Sequence, residues 1–598
     1  MKERNKVKIA LVLTILIVAS CMMAFVKLSE RASAYSPHGP IIINGNSDFT
    51  LANGVTDGSG TSMDPFIIEG WEIDATGFTD GISVSSTDAH FIIRDTFIYS
   101  AILSGIYFND VSNGYIYNCS ISNNFIGVLV DSSYNSFIRN NTISSNDIGT
   151  VIQLSSTISI SGNGIDTSIW DGIYVWESVN CTISDNDISF NTLSGIYIDS
   201  CDNNFIINNT LTDNSNAGIF LIYAPYITCS GNTIMRNLYD GIVIIESDNL
   251  DIMANNIISN NWNGIYMGLS SDLSLTNNNI SLNQDSGIFL DNSSDSIISN
   301  NTFIDNPYGI DIEFSLNIDV SGNLLTDNGV NWWGDSVSHY NSHTISFDNT
   351  VNGKPLIYYK NNSNIEIDGT LIGQLLIANC TDVSVENIHI SNTTLGIALA
   401  FVENGSIVSN TLTFNECGLD VEYSENISIF ENEISNNSWD GIYLENSDKC
   451  IISGNMISYN SPTGIYILTS SNSTINYNNI TNNEAGINLT NSVSFLIYHN
   501  NFINNIDQAI DDNGNQNSWD NGYPSGGNFW ADYSGIDGDL DGIGDTSYVI
   551  DGDSQDRYPL MDEFIIPEFQ EIIIPIVTLI GLFLLCNIFR KKKPPLET

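Results

Sequence analysis

Aspartates at every second position form the clearest candidate metal site in the sequence. Residues 537–545 read Asp-Gly-Asp-Leu-Asp-Gly-Ile-Gly-Asp. Carboxylates with this spacing can surround one Ca²⁺ with oxygen atoms, but the twelfth-position Glu of an EF-hand is missing. The sequence predicts a structural calcium site, and an acidic, glycine-rich turn is the alternative. The predicted ligands are Asp537, Asp539, Asp541, the carbonyl oxygen of Ile543, and Asp545.

A second candidate site is a row of aromatic residues, each two positions after a recurring glycine. If the residue directly after the glycine points into the core, the next one points outward, because side chains alternate along a strand. An outward aromatic row is suited to stacking on sugar rings, so the sequence predicts a glycan-binding stripe. Stacking between neighbouring strands that only stabilises the sheet is the alternative. The stripe consists of Tyr174, Tyr197, Phe220, Tyr266 and Phe289.

The charge balance excludes one class of partner and disfavours another. The chain has 17 Lys and Arg against 69 Asp and Glu, a formal net charge of −52. A nucleic-acid-binding protein needs a basic surface to neutralise phosphates, so no nucleic-acid partner is expected. Acidic polysaccharides are disfavoured for the same reason. Cations, neutral sugars and proteins remain. The basic residues between the two ends are Arg94, Arg139, Arg236, Lys354, Lys360, Lys449 and Arg557.

The histidines and cysteines do not form a recognisable copper site. Only His339 and His343 are close in sequence, and no other signal there predicts a helix that would place both on one face. The nine cysteines form no Cys-x-x-Cys pair, and we expect those in the repeats to be small core residues. A disulfide such as Cys181 with Cys201 is left open.

The elements that must position these residues form a repeat of roughly 23 residues. Glycine followed by an apolar residue recurs at this spacing, and the motif Asn-x-Φ-x-x-Asn, where Φ is apolar, precedes it. Because Asn tolerates a left-handed backbone, we expect it at the bends. There its side chain would hydrogen-bond to the Asn at the equivalent position in the neighbouring coils. The second Asn of the motif forms the predicted ladder Asn191, Asn214, Asn237, Asn260, Asn283 and Asn306.

Each repeat contains two or three short apolar–polar alternations, which predict strands. One such unit cannot bury its apolar face alone, but stacked coils can, because the strands of each coil pair with those of the next. The predicted fold is all-β: a right-handed, single-stranded parallel β-helix of about 20 coils. A leucine-rich repeat is disfavoured because its L-x-x-L-x-L pattern is absent.

The two ends predict secretion and anchoring. A basic start, an apolar run and Ala32-Ser33-Ala34 indicate a signal peptide or signal anchor. The C-terminal apolar stretch is followed by Arg590-Lys591-Lys592-Lys593, which predicts a transmembrane helix with its basic tail in the cytoplasm. The predicted organisation is 1–34 signal, 35–80 N-terminal cap, 81–310 first half, 311–395 irregular junction, 396–512 second half, 513–565 closing segment, 572–589 transmembrane helix and 590–598 tail.

Across almost the whole body, the repeats resemble the parallel β-helix repeats of the pectate-lyase-like superfamily, and most closely the NosD-like type and related archaeal surface proteins. Residues 58–71, 351–355 and 517–560 resemble the opening, junction and closing segments of those surface proteins. Pro567-Glu568-Phe569 with the apolar stretch and basic tail resembles an archaeosortase sorting signal. The aspartate loop resembles the short calcium loops of dockerin-type and thrombospondin-type repeats.

The resemblance implies the fold but not the function. Lyases of this superfamily use Lys and Arg with Ca²⁺, and its glycosidases place carboxylates beside a Gly-His-Gly segment that is absent here. We therefore expect no enzyme, but a cell-surface rod for adhesion, envelope structure or glycan binding. A carbohydrate-active enzyme and a copper-delivery accessory protein are the alternatives. Expected partners are the membrane and surface glycans or proteins; the sequence does not determine an oligomeric state.

Overall fold

The computed structural model describes residues 35–512 and 516–565. The predicted signal, the Pro-Glu-Phe triplet, the apolar stretch at 572–589 and the basic tail lie outside these residues. In the part of the chain that is described, no helix is both long and apolar enough to cross a membrane. The described residues divide into two compact units, 35–274 and 275–565. Both are built from right-handed parallel β-helix coils, about 19 in total, which confirms the predicted fold class.

The first unit consists of three parallel sheets, and each coil contributes one short strand to each of them. The strands that follow the recurring glycine form the glycine sheet: Ile41–Asn44, Asp80–Thr87, Ser104–Val111, Ile126–Asp131, Ile148–Gln153, Ile173–Trp176, Ile196–Asp199, Ile219–Ile222, Ile242–Ile245 and Ile265–Gly268. The second sheet comprises Phe66–Glu69, Phe91–Arg94, Gly114–Tyr117, Phe137–Arg139, Ser159–Ser161, Thr182–Ser184, Phe205–Ile207, Thr228–Ser230 and Asp251–Met253. The third comprises Trp71–Asp74, Phe97–Tyr99, Ser120–Ser122, Thr142–Ser144, Gly164–Asp166, Asp187–Ser189, Thr210–Thr212, Thr233–Met235 and Asn256–Ile258.

The N-terminal end of the first unit closes with short elements. These are strand Ser36–Pro37, the 3₁₀ helices Asn46–Asp48 and Leu51–Asn53, and strand Val55–Asp57, which pairs antiparallel with Phe66–Glu69. The predicted N-terminal cap therefore already contains coil strands, since Ile41–Asn44 pairs in register with the glycine sheet.

The second unit begins with a segment of the same three-sheet type. Its glycine sheet contains Ser286–Asp291, Tyr308–Glu313 and Val330–Trp333. Its second sheet contains Ile297–Ser299, Asp319–Ser321 and Thr344–Ile345. Its third sheet contains Asn279–Ser281, Thr302–Ile304, Leu324–Thr326 and Thr350–Val351. We call these coils the first segment of the unit; a short helix, Val337–Asn341, interrupts the last of them.

A hairpin ends the first segment and explains the break in the repeat. Strand Thr350–Val351 pairs antiparallel with Lys354–Lys360, so the chain reverses direction. The two turn residues, Asn352 and Gly353, have φ values of 52° and 73°. Two consecutive positive φ angles are typical of a type I′ turn, for which Asn-Gly is the preferred pair. Regular strands thus extend into the predicted 311–395 junction from both sides, and the irregular part is centred on 334–353.

The second segment of the unit stacks in register from Lys354 onward. Its glycine sheet contains Lys354–Lys360, Gln374–Ala378, Leu395–Ala400, Cys417–Glu422, Ile442–Glu445, Thr463–Leu468, Ala485–Thr490 and Asp507–Asp511. Its second sheet contains Ser363–Asp368, Thr381–Glu386, Glu403–Val408, Glu425–Phe430, Ile451–Ser453, Thr474–Asn476 and Leu496–Tyr498. Its third sheet contains His389–Ser391, Thr411–Thr413, Glu433–Ser435, Met456–Ser458, Asn479–Thr481, Asn501–Ile503 and Phe529–Trp530.

Asparagine ladders line the bends of both units. The amide nitrogens of Asn214, backbone and side chain, both donate to Oδ1 of Asn237, at 3.1 and 3.0 Å. Asn283 bonds Asn306 in the same way in the second unit. All six predicted ladder residues are at most 1% exposed. The recurring glycine is explained by this ladder, because a Cβ at Gly195 would lie 3.0 Å from the Asn214 amide nitrogen and 2.8 Å from a backbone oxygen.

The left-handed backbone is not on the ladder asparagines, contrary to the expectation from the sequence. It falls on the residue just before them, with φ of 58° at Phe190, 58° at Asp213 and 55° at Arg236. The ladder residue itself turns its side chain inward, so the preceding position, whose side chain faces solvent, carries the bend. This position therefore accepts many residue types.

The closing segment caps the second unit with aromatic rings and ends one ladder. Trp530 stacks on Phe502 at 4.3 Å and on Tyr548 at 4.2 Å. Asn528 accepts the last ladder bonds from Asn500. Strands Tyr548–Val549 and Gln555–Asp556 form a hairpin beyond it. The cap shields the apolar end of the coil stack from water.

Candidate functional site

The three alternating aspartates of the predicted calcium loop meet in the second unit. Ligand oxygens of Asp537, Asp539 and Asp541 lie within 4.8 Å of one another. The Asp537 carboxylate accepts the backbone amides of Gly542 at 2.9 Å and Leu540 at 2.6 Å. The Gly542 bond in particular holds the pKa of Asp537 below its ordinary value. These are hard oxygen ligands of the type that Ca²⁺ takes.

The last two predicted ligands lie on the same loop in different roles. Asp545 accepts the amide of Gly538 at 2.8 Å, so its carboxylate closes the loop on itself. Ile543 is 8% exposed, and it forms a bridge with Leu560 of the closing segment. The loop is therefore attached to the cap, and its calcium occupancy stays a prediction.

The predicted stripe lies on the outer face of the glycine sheet, with four of its members in the first unit. Tyr174, Tyr197, Phe220 and Tyr266 are half-buried, and the rings of neighbouring coils are close. The Tyr174 and Tyr197 centroids lie 5.5 Å apart, and Tyr197 stacks on Phe220 at 5.0 Å. Phe289 has the same half-buried position in the second unit. Stacking between coils is thus present, and partly exposed ring surface remains.

Three more aromatic residues, missed at the sequence level, border this sheet in the first unit. Trp170, Tyr239 and Trp262 are 47%, 45% and 53% exposed, and Tyr239 lies 5.3 Å from Trp262. They occupy the turn that leads into the glycine. An aromatic residue followed by Asp or Asn and then Gly, as in Trp170-Asp171-Gly172, is the signal that could have identified them. We call Trp170, Tyr174, Tyr197, Phe220, Tyr239, Trp262 and Tyr266 the aromatic face.

Buried aspartates hold the turns that carry these rings. Asp171 accepts the backbone amide of Ser194 in the next coil at 2.8 Å, and Asp240 accepts the amide of Asn263 at 3.0 Å. Burial raises the pKa of Asp171 to about 6. The rings of Trp170 and Tyr239, which directly precede these aspartates, are therefore held against the coil stack and do not lie on a free loop.

An acidic cluster, also missed at the sequence level, lies where the two segments of the second unit meet. It consists of Asp311, Glu416, Asp420, Glu422 and Asp440. Burial raises the pKa of Asp311, Glu416, Asp420 and Asp440 to about 7 each, and that of Glu422 well above its ordinary value. None of the described Lys and Arg residues forms an ion pair with these carboxylates. Carboxyl groups with a pKa near 7 can donate and accept protons at neutral pH.

Glu416 is the cluster member that borders open space. One of its oxygens, Oε1, accepts the hydroxyl of Tyr308 at 2.5 Å, while Oε2 has no hydrogen-bond partner. It lines a cavity of about 340 Å³ together with Pro307, Asn328, Thr393 and Phe414. This volume lies within the range of small-molecule sites, roughly 300–1,000 Å³.

A family model described as a periplasmic copper-binding protein, NosD, matches residues 59–224, 214–358 and 334–535. The chain belongs to the NosD family. This confirms the resemblance inferred from the repeats, and a periplasmic family agrees with a protein that works outside the cytoplasm. A search of curated proteins found no match.

Solved structures similar to this NosD-family chain include enzymes and a tailspike protein. The periplasmic alginate epimerase AlgG is 16% identical with a TM-score of 0.30, covering 51% of this chain and 84% of its own. Pectate lyase Pel9A is 14% identical with a TM-score of 0.30, covering 53% and 79%. The Dettilon tailspike protein is 17% identical with a TM-score of 0.34, covering 52% and 63%.

The prediction from the sequence that the chain is not an enzyme is wrong. The similar structures include an epimerase and a lyase, so enzymatic function stays open; at these identities and TM-scores the likeness assigns no activity. The scarcity of Lys and Arg and the missing Gly-His-Gly segment do not exclude catalysis by carboxylates. Asp311 and Glu416 are 105 residues apart in sequence and come together only where the two segments meet, so no local motif marks them.

The copper in the family description does not fit the described residues. His339 lies in helix Val337–Asn341, an element the sequence did not predict, and its Nδ1 lies 3.3 Å from Asp335. His343 accepts the amide of Ile318 through Nδ1 and donates to the carbonyl oxygen of His339 through Nε2. Both imidazoles are thus engaged, and burial lowers the pKa of His343 to about 4.

The thiols do not form a copper site either. The seven described cysteines are free and buried, so the Cys181–Cys201 disulfide left open from the sequence is not formed. Burial raises the pKa of Cys201 to about 12, which keeps it a thiol. Within 35–512 and 516–565, the aspartate loop is the one group of three or more His, Cys, Asp or Glu residues arranged to hold a metal. Its hard oxygens are unsuited to copper selectivity.

Proposed function

We propose that this NosD-family protein binds neutral glycan chains on the aromatic face of its first unit. The observation that carries the proposal is the set of three exposed rings, Trp170, Tyr239 and Trp262, beside the half-exposed stripe on the glycine sheet. Exposed aromatic clusters of this extent on a rigid surface mark interaction sites. Flat rings pack on the C–H faces of sugars, and hydroxyls of Tyr174 and Tyr197 can bond sugar hydroxyls.

Charge supports a neutral ligand. The formal net charge of −52 repels acidic polysaccharides, and the sole described cation near these coils, Arg236, is paired with Asp213 at 2.6 Å. Burial and the nearby Asp199 raise the pKa of Tyr174 to about 12, so its hydroxyl remains a donor at any physiological pH. The proposed ligand is therefore an uncharged chain of pyranose units.

A pull-down with insoluble polysaccharides tests this proposal. We expect at least one of cellulose, chitin, xylan and mannan to retain the protein. Alginate and polygalacturonate, which are acidic, should not retain it. The triple variant W170A, Y239A and W262A should bind at least tenfold more weakly. The matched control removes Tyr117 and Phe137, which are 36% and 39% exposed on the second sheet, and should bind normally. Retention of the triple variant at wild-type strength would refute the proposal.

Acid–base chemistry on a glycan is a second candidate function, favoured by Glu416 beside its cavity. With Oε1 held by Tyr308, the remaining oxygen, Oε2, is buried and without a partner, so proton donation from it requires the cavity wall to move. General acids of this kind contribute roughly 10²–10⁴-fold to a rate. Release of reducing ends from the retained polysaccharide should therefore fall at least 100-fold in Glu416→Gln and not in the surface variant Asp305→Asn. Equal rates in both variants would exclude Glu416 from this role.

The remaining predictions concern location and metal. We propose a cell-surface protein exported by residues 1–34 and anchored by the apolar stretch at 572–589, with its basic tail inside. The aspartate loop is proposed to hold one structural Ca²⁺. The supporting observations are the sequence of the ends and the convergence of Asp537, Asp539 and Asp541.

A further inference from the structure

The last coil of the first segment in the second unit folds onto the outer face of the second segment's glycine sheet. Helix Val337–Asn341 brings Tyr340, which is fully buried, against the rings of Trp332 at 5.4 Å and Phe401 at 5.7 Å. The Tyr358 hydroxyl donates to the carbonyl oxygen of Tyr340 at 2.6 Å. Beneath this cover, Ala398 and Ala400 on the outer face of the sheet are fully buried.

The hydrogen bonds of Tyr340 can all be made only if a neighbouring carboxyl group is protonated. The hydroxyl lies 2.8 Å from the carbonyl oxygen of Gly334 and also contacts Oε2 of Glu422. It accepts the Gly334 amide at 3.0 Å. A tyrosine hydroxyl has one proton to donate, so it cannot satisfy a carbonyl and a carboxylate together. A protonated Glu422 resolves the conflict, because it donates to Tyr340, which donates to Gly334.

Asp420 adds a second reason for a bound proton. Asp420 and Glu422 lie two residues apart on the outer face of one strand, and their carboxyl groups are electrostatically coupled, which favours a proton on at least one of them. Asp420 and Glu422 are 6% and 4% exposed, so water does not screen their repulsion.

The groups that act electrostatically on this pair are acidic, and the covering helix also carries His339, whose Nδ1 lies 3.3 Å from Asp335. Asp440 and Glu445 of the next coil act on it electrostatically, and Cys417 lies in the same environment. On the covering side, Asp335 acts on the neighbouring Tyr423. Lys360 donates instead to the carbonyl oxygens of Ser342 and His343.

We propose that Tyr340, Glu422 and Asp420 form a proton-dependent latch, which holds residues 334–343 closed on the second segment and releases them when the carboxyl groups ionise. The latch does not depend on glycan binding, since it uses none of the residues of the aromatic face. Its release would expose the apolar surface around Ala398, Ala400 and Phe401 to solvent.

The direction of the pH dependence follows from burial, which raises the pKa of both carboxyl groups. Closed-state stability is therefore complete below the ordinary carboxyl pKa near 4 and is lost as pH rises toward and through the folded value, about 7 for Asp420. Each pKa unit between the two states changes the opening equilibrium about tenfold per group.

Amide hydrogen exchange of the full chain between pH 5 and pH 8, corrected for intrinsic rates, tests the latch. We expect opening of peptides spanning 334–343 to increase at least tenfold over this range. Glu422→Gln, whose amide can donate to Tyr340 at any pH, should exchange slowly throughout, and Asp420→Asn should behave similarly if the first variant fails to fold. The exposed-site control Asp305→Asn should keep the wild-type dependence. Protection of 334–343 that is constant with pH, or a pH dependence that both amide variants retain, would overturn the proposal.

Discussion

The asparagine ladder can be tested at a single residue, Asn214. The substitution Asn214→Ala removes the side-chain bond to Asn237 at 3.0 Å and the two bonds that Asn214 accepts from Asn191 at 3.2 and 2.9 Å. The backbone bond to Asn237 can still form, so the loss concerns the side chain. The carbonyl oxygen of Ile188, 3.4 Å from Nδ2, also loses a donor.

The expected destabilisation follows from the groups left without a partner. The backbone and side-chain amide groups of Asn191 remain buried without their acceptor, and each such group costs about 1–3 kcal/mol. We therefore expect Asn214→Ala to lower the free energy of unfolding of the first unit by roughly 2–6 kcal/mol.

Urea denaturation followed by tryptophan fluorescence measures this effect. The matched control is Asn216→Ala, two residues away, because Asn216 is partly exposed and makes one side-chain bond, to Ser194 at 3.2 Å. It should cost less than about 1 kcal/mol. Equal unfolding midpoints for the two variants would refute the view that the buried ladder stabilises the coils.

Two further predictions concern the repeat glycine and the aspartate loop. Gly195→Ala should lower the free energy of unfolding by about 1–3 kcal/mol in the same assay, because the added Cβ would lie 2.8 Å from the Gly218 carbonyl oxygen. Gly70 has open space around it and a positive φ, so Gly70→Ser measures the cost of the backbone conformation alone. Millimolar Ca²⁺ should raise the melting temperature of the wild type, and Asp537→Asn with Asp541→Asn should abolish the rise. A melting temperature that is insensitive to Ca²⁺ and to a chelator would contradict the proposed calcium site.

Much of the fold was predictable because the repeat is local. Each glycine, ladder asparagine and inward isoleucine has the same neighbours in every coil, so one period in the sequence determines the sheet register. The position of the left-handed residue was not predictable from composition. Phe190 and Arg236 occupy it as readily as asparagine does, because its side chain faces solvent.

The candidate sites were predictable in proportion to how local they are. The aspartate loop and the stripe are visible as spacing along the chain. Trp170, Tyr239 and Trp262 all lie two residues before the glycine, but Leu193 and Asn216 occupy this position in the coils between them, so no continuous aromatic row marks it in the sequence. The acidic cluster depends on a reversal at Asn352-Gly353 and on a helix that no periodicity indicated, so the contact between Tyr340 and Glu422 could emerge only from the folded chain.

The central claim is that the aromatic face of the first unit binds a neutral glycan. The most direct test is a crystal structure of the protein with an oligosaccharide of the polysaccharide that retains it. We expect sugar rings packed at about 4 Å on Trp170, Tyr239 or Trp262. An oligosaccharide bound only elsewhere, for example in the cavity beside Glu416, with these three rings uncovered, would contradict it.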